Sequence, residues 1–111
     1  MNVDCFKKAE TLIKKGSLNL VLDCMLNMET GRIKAPFSGD LNHAWYLVGL
    51  IYYKHDDYDQ ALRAFKSSLR NWTEDAQAML AIANCYSELG KPDMSERYLR
   101  KALRIDSKNP K

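Results

Sequence analysis

Moved along by 34 residues, the sequence lies over itself. Ala44 falls on Ala78, Tyr52 on Tyr86, Asp59 on Asp93, Arg63 on Arg97, Leu69 on Leu103 and Arg70 on Arg104. Between these identities the apolar positions also coincide: Trp45 with Met79, Val48 with Ile82, Phe65 with Leu99. Gly49 meets Ala83, small against small. Self-similarity at a fixed period of this size restricts the fold more than composition does, because it marks stacked supersecondary units.

Each unit reads as two helices. In the middle unit Trp45, Val48, Gly49 and Tyr52 stand at i, i+3, i+4, i+7, which is one face of a helix. Ala61, Phe65, Ser68 and Leu69 place a second stripe on the following segment. His55-Asp56-Asp57 separates the two as a polar turn in which an aspartate caps the next helix. The third unit breaks at Gly90, suited to a left-handed position, and Pro92, tolerated in a first helical turn. Residues 45–53, Trp-Tyr-Leu-Val-Gly-Leu-Ile-Tyr-Tyr, have strand propensity when taken alone. Their partners at 78–89 are rich in helix formers and lack alternation, and equivalent positions of stacked units share a conformation. Both segments are therefore assigned as helix.

On these residues the chain resembles the tetratricopeptide repeat family. The motif W-x2-L-G-x2-Y followed by A-x3-F appears as Trp45, Val48, Gly49, Tyr52, Ala61 and Phe65. The third unit carries it more loosely as Met79, Ile82, Ala83, Tyr86, Ser95, Leu99 and Ala102, and closes with 102–110 in the manner of the family. Thr73 and Ser107 stand where the family often has proline. The resemblance spans 42–109. It implies an all-α fold, a right-handed superhelical stack of antiparallel helix hairpins.

The first forty residues follow the pattern less closely. A shift of 40 lays Ala9 on Gly49, Leu12 on Tyr52, Val21 on Ala61 and Met25 on Phe65, with Gly16 in the turn. This reads as a degenerate first repeat followed by a six-residue insertion within Gly31–Asp40, whose Pro36 and two glycines mark a loop. The expected organisation is one domain over 1–111. It comprises a degenerate repeat at 2–34, a loop at 35–41, and repeats at 42–75 and 76–109, the three units that such a stack needs for stability.

Composition narrows the functional classes. With 46% hydrophobic and 28% charged residues in 111, the chain has the means for one elongated core. A net charge of +3 is too mild to require nucleic acid or membrane. Cys5, Cys24 and Cys85 are odd in number, far apart and without a C-x-x-C pair, so they read as small hydrophobes in a reducing compartment. Charges recur through Lys15, which rules out a signal peptide at the start of the sequence as given. The longest apolar run, 44–53, is about half of a bilayer span. The expectation is a cytoplasmic protein with no membrane contact.

The motif residues Trp45, Gly49, Tyr52, Ala61, Phe65, Ala83, Tyr86, Leu99 and Ala102 serve the fold and name no ligand. What exceeds the needs of the core is a second apolar stripe, Tyr46, Leu50 and Tyr53, about 100° round the same helix. In the family, first helices line a concave groove for a peptide or a helix. Carried over by position, that groove contains Phe6, Glu10, Ile13, His43, Tyr46, Leu50, Tyr53, Lys54, Gln77, Leu80, Asn84 and Glu88. Equally, Tyr46, Leu50 and Tyr53 can be read as packing against neighbouring helices. The family's clamp for chaperone carboxylates requires basic residues on the third groove helix, and 77–89 has none.

Arg97, Arg100, Lys101 and Arg104 make the last helix basic, a docking patch for an acidic partner or RNA, although charged outer faces are more often merely solvated. No cofactor, metal or catalytic residue is indicated: His43 and His55 lack ligand spacing, and Cys85 has no neighbouring base. The resemblance thus implies a protein-binding scaffold or adaptor rather than an enzyme. A nucleic-acid-binding repeat and a small secretion or transport chaperone are the alternatives. The sequence as given stops where another first helix would begin. Tyr98, Leu99, Ala102, Leu103 and Ile105 are therefore expected to be uncovered unless a longer repeat array or self-association covers them.

Overall fold

The computed structural model describes residues 3–108. Six α-helices form three successive hairpins: α1 (Val3–Lys14) with α2 (Leu18–Met25), α3 (Leu41–Lys54) with α4 (Tyr58–Asn71), and α5 (Ala76–Glu88) with α6 (Pro92–Lys108). The family's closing segment at 109–110 lies outside the described residues.

One turn geometry joins all three hairpins. The residue in the left-handed region is Gly16 (φ 87°), Asp56 (φ 62°) or Gly90 (φ 74°). The next N–H reaches back to the end of the first helix: Ser17 to the Leu12 carbonyl (3.0 Å), Asp57 to Tyr52 (2.9 Å) and Lys91 to Tyr86 (2.8 Å). These are Schellman-type closures that satisfy carbonyls left open at a helix end. At the N-termini of α3, α4 and α5 aspartate performs the capping. Asp40, Asp57 and Asp75 accept from the backbone N–H of His43, Gln60 and Ala78 at 3.1, 3.3 and 3.2 Å. Each such cap is worth about 0.5–2 kcal/mol relative to alanine.

The segment between the first and second hairpins departs from a plain loop. After only eight residues α2 ends, and the chain turns into a two-stranded antiparallel hairpin, β1 (Leu26–Asn27) and β2 (Arg32–Ile33), pairing Leu26 with Ile33 and Asn27 with Arg32. The side chain of Asn27 accepts from the N–H groups of Glu29 (2.9 Å) and Thr30 (3.1 Å), an Asx turn that bends the tip. A short 3₁₀ turn, Phe37–Gly39, follows. Its Phe37 is buried and meets the ring of Phe6 edge-on at 5.3 Å. The expected loop over 31–40 therefore carries structure, because burial of one aromatic and the local turn chemistry offset the loss of chain freedom.

Two buried clusters run along the stack. One joins α1, α2 and Phe37 to α3 through residues such as Ile13, Met25, Val48 and Ile51. The other joins α4 to α5 through Ala61, Phe65, Ile82, Cys85 and Tyr86. Tyr46, Leu50 and Tyr52 are partly buried and pack against both. Among the motif residues Gly49, Ala61, Phe65, Ala83, Tyr86 and Ala102 are buried, and Trp45 and Tyr52 are half-buried. Leu99, expected both as a motif residue and as an uncovered position of the last hairpin, is 39% exposed and so meets the second expectation. Of the positions expected to be uncovered on α6, Leu103 is 66% exposed, whereas Ala102 is buried and Tyr98 stacks on Tyr86 at 5.8 Å.

Candidate ligand groove

The first helix of each hairpin contributes to a trough made of two adjoining recesses. The larger, about 680 Å³, receives Glu10, Ile13, His43, Tyr46, Leu50, Lys54 and Gln77 from the expected groove set. The smaller, about 270 Å³, receives Tyr53, Leu80 and Asn84, and shares Tyr46, Leu50 and Gln77 with the first. Volumes of this size accommodate several side chains of a bound segment. The side chains of the Tyr46, Leu50 and Tyr53 stripe pack on the core clusters and also line the trough.

Two expected groove residues sit elsewhere. Phe6 is 6% exposed and lies beneath the trough, its ring parallel to that of His43 with centroids 4.4 Å apart. Its helical position is that of a groove residue, but the 3₁₀ turn presses Phe37 against it and draws it into the core. Glu88 lines neither recess; with Asp56 it faces the Tyr58 hydroxyl, and the two carboxylates raise the pKa of that phenol.

The polar groups of the trough are held in place. His43 Nε2 lies 2.8 Å from Glu10 Oε2, tying α3 to α1. Asn42 Nδ2 is within reach of the Ser68 carbonyl (2.9 Å), Ser68 Oγ (3.1 Å) and Asp75 Oδ2 (3.0 Å), while Ser68 Oγ donates to the Asn42 carbonyl at 2.7 Å. This network joins the start of α3, the end of α4 and the start of α5 across one end of the trough. Among the described residues no buried side-chain nitrogen or oxygen lacks a partner. Burial raises the pKa of Tyr46, with Asp75 adding to the effect, and burial followed by Glu88 raises that of Tyr53. Both phenols stay protonated and carry a neutral hydroxyl.

Trp72, Asn42 and Asp75 also line the larger recess, and the repeat pattern alone did not mark them. Asp75 directly precedes an alanine-rich helical segment, a capping signal that would have found it. Trp72 caps the C-terminus of α4 and is 56% exposed, a large apolar surface at the rim of the trough.

The basic residues of α6 stay together on its outer face. Arg97, Arg100, Lys101 and Arg104 line a shallow recess of about 310 Å³, joined there by Asp93 and Glu96. Arg100 donates to Glu96 at 2.7 Å, and the Lys101 ammonium sits 4.9 Å from the centroid of the Tyr98 ring. The positive charge is thus partly balanced within the helix. Cys85 is fully buried and burial pushes its thiol up to about 12, a setting for packing rather than nucleophilic attack. Among the described residues no three His, Cys, Asp or Glu side chains converge as a metal site, and no helix is long and apolar enough to cross a membrane.

Comparison with known proteins agrees with this fold. Protein bimA of Emericella nidulans is 28% identical over 67 residues, which is 60% of this chain and 8% of bimA. The crystal structure of MamA matches 90% of this chain with a TM-score of 0.75 at 19% identity, over 55% of MamA, a likeness of fold. The chain thus spans only part of either protein. A tetratricopeptide repeat model matches residues 40–108, and the chain belongs to that family, whose members serve generally as protein–protein interaction modules.

Proposed function

We propose that this chain is a non-catalytic adaptor, resident in the cytoplasm, that holds an extended or helical segment of another protein in the trough of α1, α3 and α5. The observation that carries this reading is the sharing of Tyr46, Leu50 and Gln77 by the two recesses, which makes one apolar channel across all three hairpins. Ile13, Tyr46, Leu50 and Leu80 supply apolar contact, and Gln77 and Asn84 supply amide groups that pair with a peptide backbone. The rigid tyrosines offer large contact area at small entropic cost. The unbridged thiols of Cys24 and Cys85 are compatible with a reducing compartment.

Photo-crosslinking tests the reading. A photoreactive residue at Leu80, 38% exposed inside the trough, is compared with one at exposed Asp59 on α4. A partner captured at position 80 and lost with a folded Leu50→Lys variant supports it. A partner captured only at position 59 sinks it.

A further inference from the structure

A second recess, sharing no residue with the trough, opens where the fold departs from its own repeat. Met25 occupies in the first unit the place of Phe65 in the second, under the shift of 40. Beyond Phe65, α4 runs on for six residues to Asn71, whereas α2 stops at Met25 and gives way to the β1–β2 hairpin. The hairpin is held back on the end of α2 by the Lys34 N–H donating to the Met25 carbonyl (2.7 Å) and by Lys34 Nζ donating to the Asp23 carbonyl (2.8 Å). It covers α3 less completely than a continued helix would. Trp45 and Tyr52, two motif aromatics, are left half-buried as walls of a recess of about 400 Å³.

The chemistry of this recess is uneven. Leu26, Met28, Trp45 and Tyr52 make one side apolar, with Met28 62% exposed at the hairpin tip. Gln60 and Arg63 of α4 make the other side polar. Arg63 is exposed, and among the described residues no carboxylate lies in ion-pair contact with it. An apolar pocket beside a cation that lacks a counter-charge fits an apolar side chain with a carboxylate next to it.

We propose that this recess is a second docking site, for an acidic protein segment that inserts one bulky apolar side chain between Met28, Trp45 and Tyr52 and sets a flanking Asp or Glu against Arg63. The apolar side chain replaces the cover that a full-length α2 would have supplied, and the carboxylate neutralises the guanidinium. Because this site and the trough have no lining residue in common, each is testable without the other.

The test is amide and indole NMR titration of the chain with a blocked hexapeptide, a central Leu-Phe pair with two acidic residues on each side. Saturable shifts at 26–33, at the Trp45 indole and at 60–67 are expected, with affinity reduced about tenfold in Arg63→Glu. Arg63 is exposed, so the variant keeps its fold, and unchanged amide dispersion checks this. Equal binding of a peptide with lysines in place of the acids would overturn the proposal. So would shifts confined to Tyr46, Leu50 and Gln77, or no shifts at millimolar peptide. Shifts at 26–33 that grow with protein concentration alone would assign the recess to a second copy of the chain and overturn it as well.

Discussion

Gly49 of α3 faces the ring of Phe65 of α4 so closely that a β-carbon at 49 would lie 2.5 Å from two ring atoms. Phe65 is 1% exposed and is held in the α4–α5 cluster, so a shift of its ring disturbs that packing. Gly49→Ala is therefore expected to overpack the α3–α4 contact at a cost of about 1–3 kcal/mol, despite alanine's better helix propensity. Urea denaturation measures this. Combining Gly49→Ala with Phe65→Leu should cost less than the sum of the two single changes, because the smaller side chain makes room. Additive costs would place the strain elsewhere.

The shared turn geometry makes a different prediction for another glycine. A β-carbon at Gly90 meets nothing within 4 Å, so Gly90→Ala adds no clash, only the left-handed backbone at φ 74°. Its expected cost is about 1–2 kcal/mol. Asp56 adopts φ 62° in the equivalent turn with a side chain attached, so Asp56→Gly is expected to be neutral or stabilising by up to about 1 kcal/mol. Thermal unfolding of the two variants reads both signs directly.

Ser68 is fully buried and its hydroxyl satisfies the carbonyl of Asn42 while lying 3.1 Å from the Asn42 amide. Ser68→Ala removes a partner from both and is expected to cost about 1–3 kcal/mol. Asp75→Ala loses the α5 cap and the Asn42 contact together, at about 1–2 kcal/mol. Asp75→Asn, able to cap, should lose less. Hydrogen exchange at the Ala78 amide, which donates to Asp75, distinguishes the two variants.

The thiols should separate sharply in reactivity. Cys24 is exposed and Cys85 is buried. Ellman's reagent is expected to modify Cys24 in the native protein and Cys85 only after unfolding. The folded chain keeps the Cys85 proton up to about 12, whereas an unperturbed thiol loses it near 9.0. Alkali thus draws the equilibrium towards the unfolded chain between those values, and stability falls as pH rises. From pH ~7.5 to ~9.5 the Cys85 share is roughly 1 kcal/mol. Urea midpoints at the two pH values should fall further for wild type than for Cys85→Ala; parallel declines would refute the assignment.

How much was legible in advance differs along the chain. The helices from 41 to 108 follow from the 34-residue identity and from spacing such as Trp45, Val48, Gly49 and Tyr52, since a helix face is written in short-range order. Positional reasoning also brought most of the trough residues to one surface, because equivalent positions of stacked hairpins face the same way. It misplaced Phe6, whose burial depends on Phe37, 31 positions away and outside any repeat. The same limit hid the β1–β2 hairpin, for which two-residue strands carry no periodic signal.

By itself the sequence determined the repeat, the helices of its second and third units, the turn at Gly16, the left-handed position at Gly90, and the small residues at 49 and 83. These are properties of local conformation and of a pattern that recurs. Only the tertiary structure decided that Asn42 meets Ser68 and Asp75, 26 and 33 positions away. It also decided that a shortened α2 leaves Trp45 and Tyr52 half open. Each of these depends on which surfaces remain uncovered once the hairpins have stacked, and that is set by distances in space that spacing along the chain does not encode.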